Sequence, residues 1–274
     1  MTPLRNANPA EAYMNPVWRK LVVLLAAILI VLGALLLAQQ VIHRAEGAEP
    51  QPPKTTPATA APAKSAKQED PHAWKSLFDG KTLTGWKVPN FGGEGEVKVE
   101  EGAIVMEMGN PMSGITCTAE IPRTNYELCL EGKRLLGNDF FCTTTFPVAA
   151  SPCSLVVGGW GGTVVGLSCV DFYDASDNAT TQFLDFKTNQ WYRIRIRVTE
   201  AKIEAWVDDE QVVNQELPGH RISIRDEVDL CQPLGVATWC TAGAVRGVRI
   251  RKLTPEEEQP APKDAKSLPQ KSPS

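Results

Sequence analysis

The chain has 274 residues, 43% of them hydrophobic and 22% charged, with a formal net charge of −4. Lysine and arginine total 28 against 32 aspartates and glutamates, the two signs are interspersed, and no basic stripe forms, which excludes nucleic acid as a partner. Only three histidines accompany seven cysteines, and no Cys-x-x-Cys pair occurs, which argues against a structural zinc site.

In chain order, residues 1–20 form a short tail that ends in Arg19 and Lys20. Leu21 to Ala38 then run without a charge, LVVLLAAILIVLGALLLA, and Val41 and Ile42 extend the block. At 1.5 Å per residue such a run is about 27 Å long, close to the ~30 Å of a bilayer core. The reading is one transmembrane helix over 21–42. The basic flank stays cytoplasmic, so the C-terminal mass is expected outside the cytoplasm. In a bacterial envelope this means a single-pass protein of the inner membrane with a periplasmic domain. A cleaved signal peptide is the alternative, with Ala45 and Gly47 as small residues near a cleavage point.

Residues 43–72 are rich in Ala, Pro, Thr and Lys and predict an extended tether without a core. Residues 254–274 have the same character. The folded unit is therefore expected over 73–253, and it reads as strands. Tyr192 to Val198 alternates strictly, so Ile194, Ile196 and Val198 share one face while Arg193, Arg195 and Arg197 point away. Ile203, Ala205 and Val207 repeat the pattern, Asp208-Asp209 makes a tight turn, and Gln211 to Gln215 returns as a hairpin. Further short strands are predicted at Glu96–Val99, Ala103–Met108, Tyr126–Leu130, Asp139–Phe146, Ser154–Gly158, Val164–Leu167, Thr181–Phe186, Leu234–Trp239 and Val245–Arg251, separated by Gly, Pro, Asn and Asp clusters. Many short strands without a helical period predict an all-β jelly-roll sandwich of two antiparallel sheets. Cys117, Cys129, Cys142, Cys153, Cys169, Cys231 and Cys240 all fall inside this unit. They read either as small buried hydrophobes or, in an oxidising compartment, as partners in disulfides, with at least one left over.

The run Trp74-Lys75-Ser76-Leu77-Phe78-Asp79-Gly80-Lys81-Thr82-Leu83-Thr84-Gly85-Trp86 resembles the opening of the 3-keto-disaccharide hydrolase domain. Glu100 to Ile104, Trp191 to Ile196 with Ile203 to Val207, and Gly235 to Ile250 resemble later strands of that family in the same order. The resemblance spans about 73–253. It implies a concanavalin A-like jelly roll and chemistry on 3-keto-glycosides. There a base removes the acidified hydrogen at C2, the glycosidic bond leaves by elimination, and water then adds to the enone. A divalent metal such as Ca²⁺, placed near the keto oxygen, would be a natural aid. The middle of the chain departs from the family pattern: Gly137-Asn138-Asp139-Phe140-Phe141 stands where "N-S-G-I-x-x-R" is usual, and Ser154 to Gly162 where "G-x-E-x-Q-I-x-D" is usual.

The candidate site follows from this placement. Asp139 is the candidate general base, and Asn138, Trp160 and Arg246 are candidate substrate-binding residues. Trp160 is held in Gly158-Gly159-Trp160-Gly161-Gly162, where glycines mark either a tight turn or a close approach to a ligand such as a sugar face. Asp171, Asp174 and Asp177, with Asn178, are candidate oxygen ligands for Ca²⁺; the alternative is a solvated acidic loop. For Asn138 and Asp139 the alternative is a strand-entry turn, and for Arg246 a cross-strand ion pair. Trp86, Trp206 and Trp239 are expected in the core or on the concave face. A carbohydrate is the expected ligand, bound on the concave sheet near Asp139 and Trp160. The domain is expected either to act on that glycoside or to bind it without chemistry; an envelope scaffolding role is the third reading.

Overall fold

Alternating strands pair into two antiparallel sheets in the computed structural model, which describes residues 70–259. The first sheet runs, edge to edge, through β13 (Glu210–Glu216), β12 (Lys202–Val207), β11 (Trp191–Val198), β6 (Tyr126–Gly137), β15 (Thr241–Lys252), β4 (Ala103–Met106) and β3 (Val97–Glu100), with β1 (Lys75–Ser76) also paired to β15. The second runs through β10 (Gln182–Phe183), β9 (Val164–Ser168), β8 (Ser151–Gly159), β7 (Thr143–Val148), β14 (Gly235–Trp239), β5 (Met112–Cys117) and β2 (Trp86–Lys87). A 3₁₀ turn at Asp226–Cys231 and a one-turn helix α1 at Pro255–Glu258 complete the unit. This is the all-β sandwich that the strand pattern predicts.

The core lies between the sheets. The first sheet contributes Leu128, Leu130, Ile194, Ile196, Val198, Ile203, Ala205, Val207 and Val245; the second contributes Ile115, Phe146, Leu155, Val157, Val165, Leu167 and Val236, all in one buried cluster. Burying a side chain of this size stabilises by roughly 1.5–3 kcal/mol, which is why the period of two decides the register. The β11–β12 pairing sets Ile194 opposite Val207, Ile196 opposite Ala205 and Val198 opposite Ile203, and the turn at Asp208-Asp209 joins β12 to β13. The arginines of β11 take the outer face. There Arg195 stacks on Trp206 at 3.7 Å, and the buried carboxylate of Glu127 gathers Arg195, Arg197 and Arg251.

The predicted and observed strands differ in places. The strand expected over Asp139–Phe146 begins only at Thr143, because Asp139 folds back onto the N–H of Phe140 and makes a turn first. The strand expected over Thr181–Phe186 is reduced to Gln182–Phe183. Strand β5 was not predicted: it is buried on both faces and so lacks the alternation that marks half-buried strands.

The predicted transmembrane segment 21–42 and all but the last residues of the predicted tether 43–72 lie outside the described residues. Among the described residues no helix is long and apolar enough to cross a membrane. All seven cysteines carry free thiols, and only Cys240 is exposed. Burial pushes the Cys231 thiol up to about 12 and raises Cys142 and Cys153 as well, the behaviour of small buried hydrophobes.

Candidate functional site

The residues of β7, β8 and β9 that join the core are Phe146, Val148, Cys153, Leu155, Val157, Val165 and Leu167, so the alternate positions face outward, among them the hydroxyls of Thr143, Thr145, Ser154 and Ser168. Thr145 Oγ1 and Ser154 Oγ stand 2.9 Å apart and satisfy one another. Thr143 Oγ1 is buried and has no hydrogen-bond partner among the described residues. A cleft of about 250 Å³ opens over this floor.

Its walls come from turns. Phe140 and Trp239 stand side by side, ring centroids 6.1 Å apart, and Trp160 projects from the β8–β9 turn, 43% exposed. Trp160 has a φ of 46°, a left-handed conformation that a bulky side chain rarely adopts. Arg225 and Glu227 also line it. Arg225 donates to Glu227 through Nε (3.2 Å) and Nη2 (2.7 Å) and to Asp174 through Nη1 at 2.9 Å. This bidentate bond holds the Glu227 carboxyl below its ordinary value and raises the Arg225 guanidinium, so the two remain an ion pair.

Asp139 lies in the wall of the cleft. Its Oδ1 accepts the N–H of Phe140 at 2.7 Å, its own N–H donates to Thr241 Oγ1 at 3.0 Å, and it forms no ion pair among the described residues. Asp139 and Trp160 thus share one cleft, although both sit in turns rather than on neighbouring strands. Asn138 is next to them, but its side chain lies against Gly162 rather than lining the cleft.

Other predicted site residues lie elsewhere. Arg246 is on β15 in the first sheet, where its Nε bonds Glu131 at 2.6 Å and its guanidinium stacks on Trp191 at 4.1 Å. Its substrate-binding assignment is corrected to a cross-strand ion pair, because β15 and the cleft belong to different sheets. The calcium assignment of Asp171, Asp174 and Asp177 is corrected too. Asp171 turns to His220 (2.7 Å) and the N–H of Arg221 (2.8 Å), and that backbone bond lowers its carboxyl; Asp174 turns to Ser176 and Arg225. Asn178 spends its amide on the carbonyls of Leu167, Tyr173 and Asp174. The three carboxylates do not converge and do not fit a calcium ion; among the described residues no group of three His, Cys, Asp or Glu can hold a metal. Of the flagged tryptophans, Trp239 reaches the cleft, Trp86 is buried with its indole N–H on Leu77 O, and Trp206 belongs to the arginine stack outside the first sheet.

Sequence reasoning missed the hydroxyl floor, the Arg225–Glu227 pair and Arg134. Ser154 had a signal, lying between Cys153 and Leu155, whereas Thr143 and Thr145 flank Thr144 in an unbroken run that hides which face each takes. Arg134 had one as well, since it falls in line with Tyr126, Leu128, Leu130 and Gly132 on the core side of β6. Arg225 and Glu227 had none, because they come from an irregular segment.

Residues 73–251 match the 3-keto-alpha-glucoside-1,2-lyase-like domain. The chain belongs to that family. No curated protein matches it. Solved structures similar to this member of the family include the Crh5 transglycosylase (12% identity, 67% of this chain and 85% of that one, TM-score 0.45). The carbohydrate-binding module CBM66 from Bacillus subtilis aligns at 11% identity over 61% of this chain and 96% of that one, TM-score 0.41. Domain 4 of the arabinanase AbnA from Geobacillus stearothermophilus, solved with arabinotriose, aligns at 16% identity over 63% and 85%, TM-score 0.41.

Proposed function

We propose that the cleft over the second sheet binds a glycoside, with a sugar ring against the indole of Trp160 and its hydroxyls over Thr143 and Ser154. The observation that carries this reading is the pairing of the exposed Trp160 with a hydroxyl floor that includes Thr143 Oγ1, unpartnered among the described residues. A buried hydroxyl without a partner costs about 1–3 kcal/mol, and a sugar hydroxyl relieves that cost on binding. An apolar ring face suits Trp160, whose flat surface is half open to solvent. Family membership supports the glycoside class. Calorimetric titration with methyl α-glucopyranoside and its 3-keto form tests it. Binding that is lost in Trp160→Ala is the expected result; no heat with either sugar overturns the reading.

Asp139 favours a second reading, in which the bound 3-keto-glycoside is cleaved. Glu227 is tied to Arg225 and is a poor base, whereas Asp139 is a cleft carboxylate free of any ion pair among the described residues. Asp139 would take the proton from C2, the C–H pair would become the C1–C2 double bond, and the C1–O bond would break, the departing oxygen taking up a proton. Release of the alcohol and enone from methyl 3-keto-α-glucopyranoside, absent in Asp139→Asn, is the expected outcome. Equal turnover by both proteins removes Asp139 from the mechanism.

We place the domain outside the cytoplasm, held to the inner membrane by residues 21–42. The charge-free block and its Arg19-Lys20 flank support this placement.

A further inference from the structure

Arg134 is the one arginine on the core side of β6, and it is 5% exposed. Its neighbours along that face, Leu130 and Gly132, point into the sandwich. From this position the side chain crosses the gap between the sheets. Its guanidinium lies over the Phe141 ring at 5.2 Å, and Nη2 donates to Gly162 O at 2.8 Å. The residues around it are glycines for a steric reason. A Cβ on Gly158 would stand 2.9 Å from Nη2, and a Cβ on Gly162 would stand 3.1 Å from Nη1 and 2.5 Å from Asn138 Oδ1. Gly158, Gly161 and Gly162 also have positive φ, at 77°, 88° and 105°. Two glycines of the stretch, Gly158 and Gly162, thus make a sheath against the guanidinium.

Trp160 sits between those glycines in the left-handed region, a strained conformation that the surroundings must hold. Within the turn, the N–H of Gly162 reaches Gly159 O at 3.2 Å, a weak closure. The charged bond from Arg134 to Gly162 O is the stronger restraint. We propose that Arg134 is the positioning residue for Trp160: it anchors the β8–β9 turn from the opposite sheet and so holds the indole at the wall of the cleft. The binding role of Trp160 rests on the glycoside reading above; the anchoring itself does not.

The test separates the two. Hydrogen exchange of the full-length chain in detergent, without sugar, reads the turn directly. In Arg134→Met, amides of residues 159–164 are expected to exchange about tenfold faster or more, the loss of one buried charged hydrogen bond. Amides of β11 should keep their protection, and Arg134→Lys, which keeps a donor but not the fork, should fall between. Unchanged exchange in the turn, or an equal rise in β11, overturns the proposal, the latter because Arg134 would then serve general stability. If Arg134→Met does not fold, Arg134→Lys, which keeps the charge and bulk but loses the fork, is read in its place. A double-mutant cycle with methyl α-glucopyranoside supplies the second readout. Arg134→Met should weaken binding about as much as Trp160→Ala, and the double variant should be no weaker than Trp160→Ala alone. Additive losses overturn the link to Trp160. Absence of binding by the wild type removes the glycoside reading and leaves exchange to decide the anchor.

Discussion

At the scale of single residues, the cleft separates two kinds of side chain that sequence alone runs together. Asp139 and Trp160 fall three and two residues from Leu136 and Gly158 on paper, yet what matters is that turns after β6 and β8 bring both to one wall. Their separate roles are open to a paired substitution. Trp160→Ala is expected to weaken sugar binding about tenfold or more, as the loss of a central aromatic contact does. It should leave the melting temperature nearly unchanged, because the ring is 43% exposed and its backbone is strained. Asp139→Asn keeps the shape and the bond to the Phe140 N–H, so binding should survive while any turnover stops. Calorimetry and product assay on the same two proteins decide it; equal binding by wild type and Trp160→Ala would remove the indole from the site. The Asn-Asp pair and the tryptophan among glycines were legible because such residues are unusual in strands. Arg246 misled because an arginine on a strand carries no mark of which sheet its strand will join, and the Asp171–Asp177 cluster misled because short acidic spacings look alike whether the carboxylates converge or turn to Arg225 and His220.

At the scale of elements, strict alternation in β11 and β12 was legible because a slip of one residue would bury three arginines. Ile196 is fully buried and opposite Ala205, between two further core strands. Ile196→Asp puts an unpaired carboxylate there and should cost about 3–5 kcal/mol, enough to lower the melting temperature by roughly 10 °C or to unfold the domain. A variant melting within a degree or two of wild type would show that the face is wrong. Strands β5 and β7 were harder to read, because strands buried on both sides show no alternation and hydroxyls on β7 look polar. The end of β15 offers a test of a different kind. Arg251 donates to both oxygens of Glu257, at 2.8 and 2.7 Å, and this holds the Glu257 carboxyl at about 2, below its ordinary 4.5. A carboxyl depressed on folding stabilises fully above its unfolded value and loses that contribution as pH falls through the folded one. The melting temperature of wild type should therefore exceed that of Glu257→Gln near neutrality, and the gap should close between pH 4.5 and about 2. A gap that persists below that range would assign the stabilisation to something other than the Arg251 pair.

At the scale of the whole molecule, the two sheets divide the work. The first presents an arginine and tryptophan surface braced by Glu127 and Glu131, and β1 enters the fold there, paired to β15. The second presents the cleft. Among the described residues every strand of both sheets and every member of the core cluster lies between Lys75 and Lys252. A domain of this size is large enough to bury a core of its own, so independence from the apolar block at 21–38 is the expectation to test. The expected behaviour of the full chain is recovery with membranes after cell fractionation. Mild proteolysis of those membranes should cut within 43–69, where Pro, Ala and Thr dominate, and release a soluble fragment that melts at the temperature of the intact chain. Release shows that the anchor and the fold are independent; an unchanged melting temperature shows that the apolar block adds nothing to the core. Recovery of the uncut chain in the soluble fraction, with its N-terminus unprocessed, would remove the anchor and with it the placement outside the cytoplasm, because an unbroken apolar run of that length has no place to hide in water.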